Sequence, residues 1–515
     1  MDRRAFLKSL ALAGVSIGGV GALGMAIGPR GAHAAGDRIA RLLDQGGVSP
    51  LNDDQVPRVI NLFLYGGPSE LAGNLSNIED IHGNSQNPYP EPLADRGRDD
   101  TQATPNAMWR DAGGARMETL IAAGAMSLYR TLHRIKEDSK SHGPSVTQNL
   151  LGSLESGVPG MGTRVAEILL AHEAAGHPVL GKPVEELILP MVSFEGESIA
   201  FRIGDTSLPP ALKPVALDSN LRNPYQRDNR WPLDGSHSGA DARVEALAEA
   251  RNAALGRLPK VRDAFRQRRE MAEFLDSLLS VSAVNARIGG YNASIRSELG
   301  IAEEGVNLID YGDNQFGRKL RAAVSLMLEN PDTLFITLGS NGLGGWDDHS
   351  EALDDYPPRM NALMQALEAA MVHLRAAARY DGKAHADNVI INVFGDFGRN
   401  VNLNNALGWD HGNNQNLYTF GGRAIRPEGL GKLVGRTRRI GSSGQNRQFT
   451  APSDDSYQCE PFAVAASVYR WFGLQDTRIF TGEDPVDEQV SSEPLAPWTP
   501  DADSRQGRIL RFLTA

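Results

Sequence analysis

Val59-Ile60-Asn61-Leu62-Phe63-Leu64-Tyr65 is a near-continuous apolar run that stops abruptly at Gly66-Gly67-Pro68-Ser69. A short segment with almost no polar side suits a strand covered on both faces, which requires a parallel sheet between two helical layers. Leu187–Val192 reads as a second such strand. After Gly317 the rhythm becomes regular. A helix over Arg318–Leu328 leads to a strand over Thr333–Leu338, and a helix over Arg359–Ala378 leads to a strand over Asn388–Phe394. A strand at Leu417–Phe420 and a helix at Glu460–Phe472 follow. Strands alternating with helices predict an α/β fold, a mostly parallel sheet with helices on both faces. Asp241 to about Ser280 has helical spacing and many charges, with Pro259 placed to kink it, and reads as a helical insertion at about residues 240–300. Asn74–Thr104, rich in Asn, Asp, Pro and Gly, reads as a long loop.

Two of the expected strands run into the densest Asp/His clusters of the chain. Gly344-Gly345-Trp346-Asp347-Asp348-His349 follows the first, and Gly395-Asp396-Phe397-Gly398-Arg399 the second, with Gly408-Trp409-Asp410-His411 just before the Leu417–Phe420 strand. Ligands of open parallel sheets bind at the carboxyl ends of strands, so Asp347, His349, Asp396, Asp410 and His411 are expected to converge on one sheet edge. Mixed imidazole and carboxylate donors suit zinc, manganese or iron better than magnesium or calcium alone. The plainer alternative is that the aspartates only cap turns and helices. Asp80-Ile81-His82 and Ser236-His237-Ser238 are weaker signals; the second lacks the spacing of a nucleophile elbow and reads as a turn.

The first residues form an address. Arg3-Arg4 with Phe6-Leu7-Lys8 is a twin-arginine pattern, a Gly/Ala-rich apolar stretch follows, and Ala32-His33-Ala34 supplies an A-x-A cleavage site. The expected partner is the twin-arginine translocation machinery, with a periplasmic or secreted destination. Residues 1–34 would be the leader, 35–57 a polar lead-in, 58–475 the α/β domain and 476–515 a tail. The full chain carries −11 at neutral pH; loss of the leader removes four cations and one anion and leaves −14. With no basic tract, nucleic acid is a poor partner. No later segment is apolar enough to span a bilayer, so an integral membrane protein is not expected. Cys459 is the one cysteine and cannot form an internal disulfide.

Four pieces together resemble the DUF1501 family: GGPS (Gly66–Ser69), GGWDDH (Gly344–His349), DFGR (Asp396–Arg399, where the family pattern is S-E-F-G-R) and DHG (Asp410–Gly412). The resemblance runs over about Val56 to Leu474. It implies kinship with the alkaline-phosphatase and sulfatase superfamily, hence a core similar to the alkaline-phosphatase fold. By that resemblance Asp347 and His349 look like a metal-holding pair, Asp396 like the acidic ligand after the next strand, and His411 like the last histidine ligand with Asp410 beside it. Arg399 would lie near a bound anion, or pair with Asp396 or a loop carboxylate. The first loop departs from the family's GGPS-H-x-D: Glu70-Leu71-Ala72 follow GGPS here, leaving Glu70 as a possible oxygen ligand. In the stretch Ser141-His142-Gly143-Pro144-Ser145, His142 fills the slot that a sulfatase gives to its nucleophile. It is either a site residue or a loop histidine capping the next helix.

The expected function is an exported hydrolase of small anionic phosphate or sulfate esters, using one or two divalent ions, zinc or manganese, and attack by metal-bound hydroxide. The rival expectation is a non-catalytic exported binding or assembly protein that keeps the fold and a structural metal.

Overall fold

A computed structural model describes residues 38–76, 78, 89, 102–137, 140–218, 280–303, 305–441, 449–482 and 505–515. The leader, Asp80 and His82, Ser236–Ser238, most of the 240–300 insertion and most of the tail lie outside the described residues.

The strands are β1 (Arg58–Leu64), β2 (Met126–His133), β3 (Met191–Ser193), β4 (Val215–Ala216), β5 (Phe335–Gly339), β6 (Val389–Gly395), β7 (Gly398–Arg399), β8 (His411–Gly412), β9 (Asn414–Gly421), β10 (Leu433–Val434), β11 (Thr437–Ile440) and β12 (Phe449–Pro452). The helices are α1 (Ala115–Ala122), α2 (His142–Leu151), α3 (Met161–Ala174), α4 (Val281–Leu299), α5 (Gln315–Glu329), α6 (Ala352–Tyr380), α7 (Ala463–Trp471), α8 (Arg478–Thr481) and α9 (Arg505–Thr514). Eight strands form one sheet in the order β10-β2-β9-β6-β1-β5-β3-β4. The ladders are parallel except where β9 pairs antiparallel with β2 and β6. The chain is thus α/β with a mostly parallel central sheet.

Alternation along β1 explains both layers. Ile60, Leu62 and Leu64 enter the core built with α4, α5 and α6. Val59 and Phe63 enter the core built with α3 and α7. Cys459 is a small buried member of that second core. Among the described residues no helix is long and apolar enough to cross a membrane.

β1 lies between β5 and β6, so the α6 crossover carries the chain from one side of β1 to the other. The loops leaving β1, β5 and β6 all start at the carboxyl edge of the sheet, where ligands of open parallel sheets bind. Antiparallel β9 begins at the same edge, with Tyr418 opposite Val393 and Gly421 opposite Ile390. The end of β2 joins them, with His133 opposite Asn414.

Three expectations need adjustment. The strand expected over Leu187–Val192 shrinks to Met191–Ser193, because Leu189 is left-handed (φ 47°) and Pro190 has no N–H to pair. The helix expected from Arg359 starts at Ala352 and accommodates Pro357 and Pro358 near its beginning. The strand around Leu417–Phe420 is longer than expected and runs against its neighbours. Of the insertion, the described part is α4, whose Val284, Ile288, Tyr291 and Ile295 are buried.

Candidate metal centre

Each loop at the carboxyl edge places one or two side chains. Gly66 (φ +116°) closes β1; a Cβ there would lie 2.7 Å from the Asp347 nitrogen, so only glycine lets the two loops approach. Its N–H donates to both Asp396 carboxylate oxygens, at 3.0 and 3.2 Å. In the loop after β5, Trp346 is buried and its indole donates to Ser340 Oγ at 2.8 Å. Asp348 is buried against Arg359 at 2.8 Å. These two anchors turn the intervening Asp347 and the following His349 outward. The β7–β8 pairing sets Arg399 opposite His411. His142 is the first residue of α2.

Three imidazoles share one orientation. His142 Nδ1 meets Asp396 Oδ2 at 2.7 Å. His411 Nδ1 donates to the Lys140 carbonyl at 2.7 Å. His349 Nδ1 faces Asp410 Oδ1 at 3.3 Å. An oxygen acceptor at Nδ1 fixes the proton there and leaves Nε2 as a bare lone pair in the neutral ring. All three Nε2 atoms face Asp347 Oδ1, at 3.4 Å from His142, 3.1 Å from His349 and 3.5 Å from His411. His142 Nε2 is buried without a hydrogen-bond partner. His349 Nε2 and His411 Nε2 are 3.0 Å apart. Lone pairs cannot face each other at that spacing without a proton or a cation between them.

This donor set fits a divalent ion. Donors about 2.0–2.1 Å from a tetrahedral zinc lie about 3.3–3.4 Å from one another, close to the spacings seen here. His142, Asp347 and His411 each offer an atom within 4.8 Å of the others, with His349 adjoining Asp347 and His411. Oxygen partners at each Nδ1 are the arrangement that orients metal-ligating histidines. The cluster is open to solvent: the side chains of Asp347, His349, His142 and His411 are 47, 43, 36 and 25% exposed. Partial burial pushes the Asp347 carboxyl upward, but the Arg399 bond and charge and the adjacent histidines outweigh it and hold it below the usual carboxylate range. Burial holds His411 below the ordinary imidazole value despite its bond to Lys140, with Arg399 adding to the depression. Both effects favour the ligating forms.

Several site residues take parts other than those expected. Arg399 is fully buried. It donates to the carbonyls of Gly67 (2.7 Å), Trp409 (3.0 Å), Trp346 (3.1 Å) and Gly66, to Asp347 at 2.5 Å, and from Nη1 to His349 Nε2 at 3.4 Å. It pairs with a loop carboxylate, one of its two expected roles, and braces three other loop segments against its own, so no N–H remains for an anion. Asp396 and Asp410 sit behind His142 and His349. Glu70 is held elsewhere: fully buried, it accepts from Asn414 Nδ2 and Thr450 Oγ1. Burial raises its carboxyl to about 7, against the lowering effect of those two bonds and of Arg130. That corrects its expected place as an oxygen ligand.

Sequence reasoning missed the Lys140 carbonyl and two amides. Asn149 Nδ2 bridges the carbonyls of Gly395 and Asp396, both at 2.8 Å. Asn404 Nδ2 reaches the His349 carbonyl (3.0 Å) and Asp410 (3.3 Å). Bonds to carbonyls leave no residue-type signature. The nearest signal for Asn149 was its position one helical turn after Ser145 in the His142 segment.

The family model described as "Protein of unknown function (DUF1501)" matches residues 56–454, a span that contains every residue of the cluster. No curated protein matches the chain. With most of its length inside that match, the chain belongs to the DUF1501 family.

Proposed function

We propose that this protein is an exported metal-dependent hydrolase of small anionic phosphate or sulfate esters, with a core akin to that of the alkaline phosphatases. One observation carries the reading: three imidazoles, each with Nδ1 held by oxygen, turn Nε2 toward a single Asp347 oxygen. His142, Asp347 and His411 would hold the ion, with His349 as a further donor. The nitrogen-rich set favours zinc, and one ion rather than two, since Glu70 is committed elsewhere. A divalent ion there would polarise an ester oxygen and lower the pKa of water from 15.7 toward about 7.

The chain's own groups have separate duties. Asp396 and the Lys140 carbonyl orient His142 and His411. Arg399 keeps Asp347 ionised and fixes the loops. His349, exposed and backed by Asp410, turns its Nε2 toward the same Asp347 oxygen. The openness of the cluster favours catalysis over a closed structural site, since catalytic centres keep a position for substrate. The twin-arginine leader supports export through that machinery to the periplasm or beyond.

A second reading draws on Arg399, whose donors are taken: a non-catalytic exported binding or assembly protein with a structural ion. Metal analysis of the mature protein, with chromogenic phosphomonoesters, phosphodiesters and sulfate esters, separates the two. The hydrolase reading expects one equivalent of metal and turnover, both lost in Asp347→Ala. Metal without turnover on any ester favours the second reading. No metal at all overturns both.

A further inference from the structure

Beside the metal cluster stands a ring that cannot ligate an ion. Phe397 lies on the loop between β6 and β7 and is fully buried. Its ring centre is 4.7 Å from that of His142 and 4.5 Å from that of His411, and the two imidazole centres are 4.6 Å apart. The three rings close a triangle, with interplanar angles of 39° between Phe397 and His142, 45° between Phe397 and His411, and 80° between the imidazoles. Such separations are those of packed aromatic pairs. Gly67 makes room for the ring, since a Cβ there would lie 2.8 Å from two Phe397 ring carbons. The Arg399 guanidinium is 5.8 Å from the Phe397 ring centre.

An imidazole turns easily about its Cβ–Cγ bond, because that torsion has broad wells. A single hydrogen bond at Nδ1 leaves the ring room to swing around it. The direction of Nε2 is fixed only when a neighbour also packs against the ring. Phe397 packs in this way against both His142 and His411, while Asp396 and the Lys140 carbonyl hold their Nδ1 atoms. For a given set of nitrogen and oxygen donors, the raw affinity of nickel rivals that of zinc, so a site separates the two by geometry. Zinc takes donors at tetrahedral spacing, whereas nickel prefers a tetragonal arrangement.

We propose that Phe397 is a positioning residue that makes the cluster selective for zinc over nickel. Packed against both imidazoles, it denies them the rotation that a tetragonal ion would require. The proposal rests on the metal-centre reading and not on hydrolysis.

The test is competition with a chromophoric chelator for zinc and for nickel, on the full-length protein stripped of metal. Wild type should bind zinc at least about tenfold more tightly than nickel. Phe397→Leu, which keeps an apolar side chain but loses the flat ring, should cut that preference at least about tenfold, mainly by weakening zinc. Phe397→Met replaces it if the leucine variant does not fold. General loosening of the fold would weaken both ions alike, so the ratio isolates geometry. With cobalt as probe, wild type should give the intense visible absorption of a four-coordinate ion, and the variants the weak absorption of a six-coordinate one. A wild type that binds nickel as tightly as zinc, or a folded variant with an unchanged ratio, would overturn the proposal and leave the metal centre standing. Absence of zinc binding by the wild type would overturn the metal-centre reading and the proposal with it.

Discussion

Two histidine environments in this molecule use the same side chain for opposite ends. His373, on α6, is 3% exposed. Its Nδ1 meets the Tyr311 hydroxyl at 3.0 Å, and the Tyr291 ring lies 5.6 Å away, centre to centre. Burial drives its pKa down to about 3, with Arg287, Lys383 and Arg321 adding to the effect. It is a neutral packing element. At the carboxyl edge of the sheet, His142, His349 and His411 are partly exposed, their Nδ1 atoms face oxygen, and their Nε2 atoms face one another or Asp347. Burial alone does not make a histidine a ligand. One nitrogen must be anchored while the other has company.

The largest effect should come from breaking the edge cluster. Alanine at Asp347, His142 or His411 should lower zinc affinity by at least about a hundredfold, read by competition with a chromophoric chelator, because each removes a donor or its counterpart. Retained stoichiometric zinc in all three would contradict the assignment. His373→Ala should behave oppositely. It should leave metal content intact and cost about 3 kcal/mol in urea unfolding, from a core cavity and an unsatisfied Tyr311 hydroxyl. The buried imidazole also sets a pH dependence. Its folded pKa lies below its unfolded value, so its contribution is complete above pH 6.5 and declines as pH falls toward about 3. The alanine variant should show a flatter acid limb in unfolding measured with chelator present.

A smaller effect tests the orienting carboxylates. Asp396→Asn keeps the shape behind His142 but removes the charge, and zinc affinity should fall about 10–100-fold. An unchanged affinity would reduce Asp396 to a loop anchor. The smallest effect separates Glu70 from the site. Its raised carboxyl contributes fully below pH 4.5 and loses that contribution as pH rises through about 7. Glu70→Gln should therefore be more stable than wild type at pH 8, by about 1 kcal/mol, with the same metal content. Loss of metal would return Glu70 to the ligand set.

What could be read from the sequence follows the same divide. The strands β1, β5 and β6 were legible because each is a continuous apolar run ended by Gly or Ser, and the Asp/His loops because they follow those runs. β2 was not, since Arg130 and His133 interrupt its apolar pattern. The reversed direction of β9 leaves no trace in periodicity. Asp347, His349 and His411 were legible by density, whereas His142 showed only as an odd occupant of a motif. Arg399 and Glu70 were assigned from residue type. Their actual partners, loop carbonyls for one and an Asn–Thr pair for the other, depend on long-range packing that no local spacing encodes.

The central claim is that these nitrogens and the Asp347 oxygen share an ion. Anomalous diffraction at the zinc edge, from crystals of the mature protein grown with zinc, tests it most directly. The account predicts a peak about 2.0–2.1 Å from His142 Nε2, His411 Nε2 and Asp347 Oδ1. Zinc bound only at other residues, with no peak among these three atoms, would contradict it.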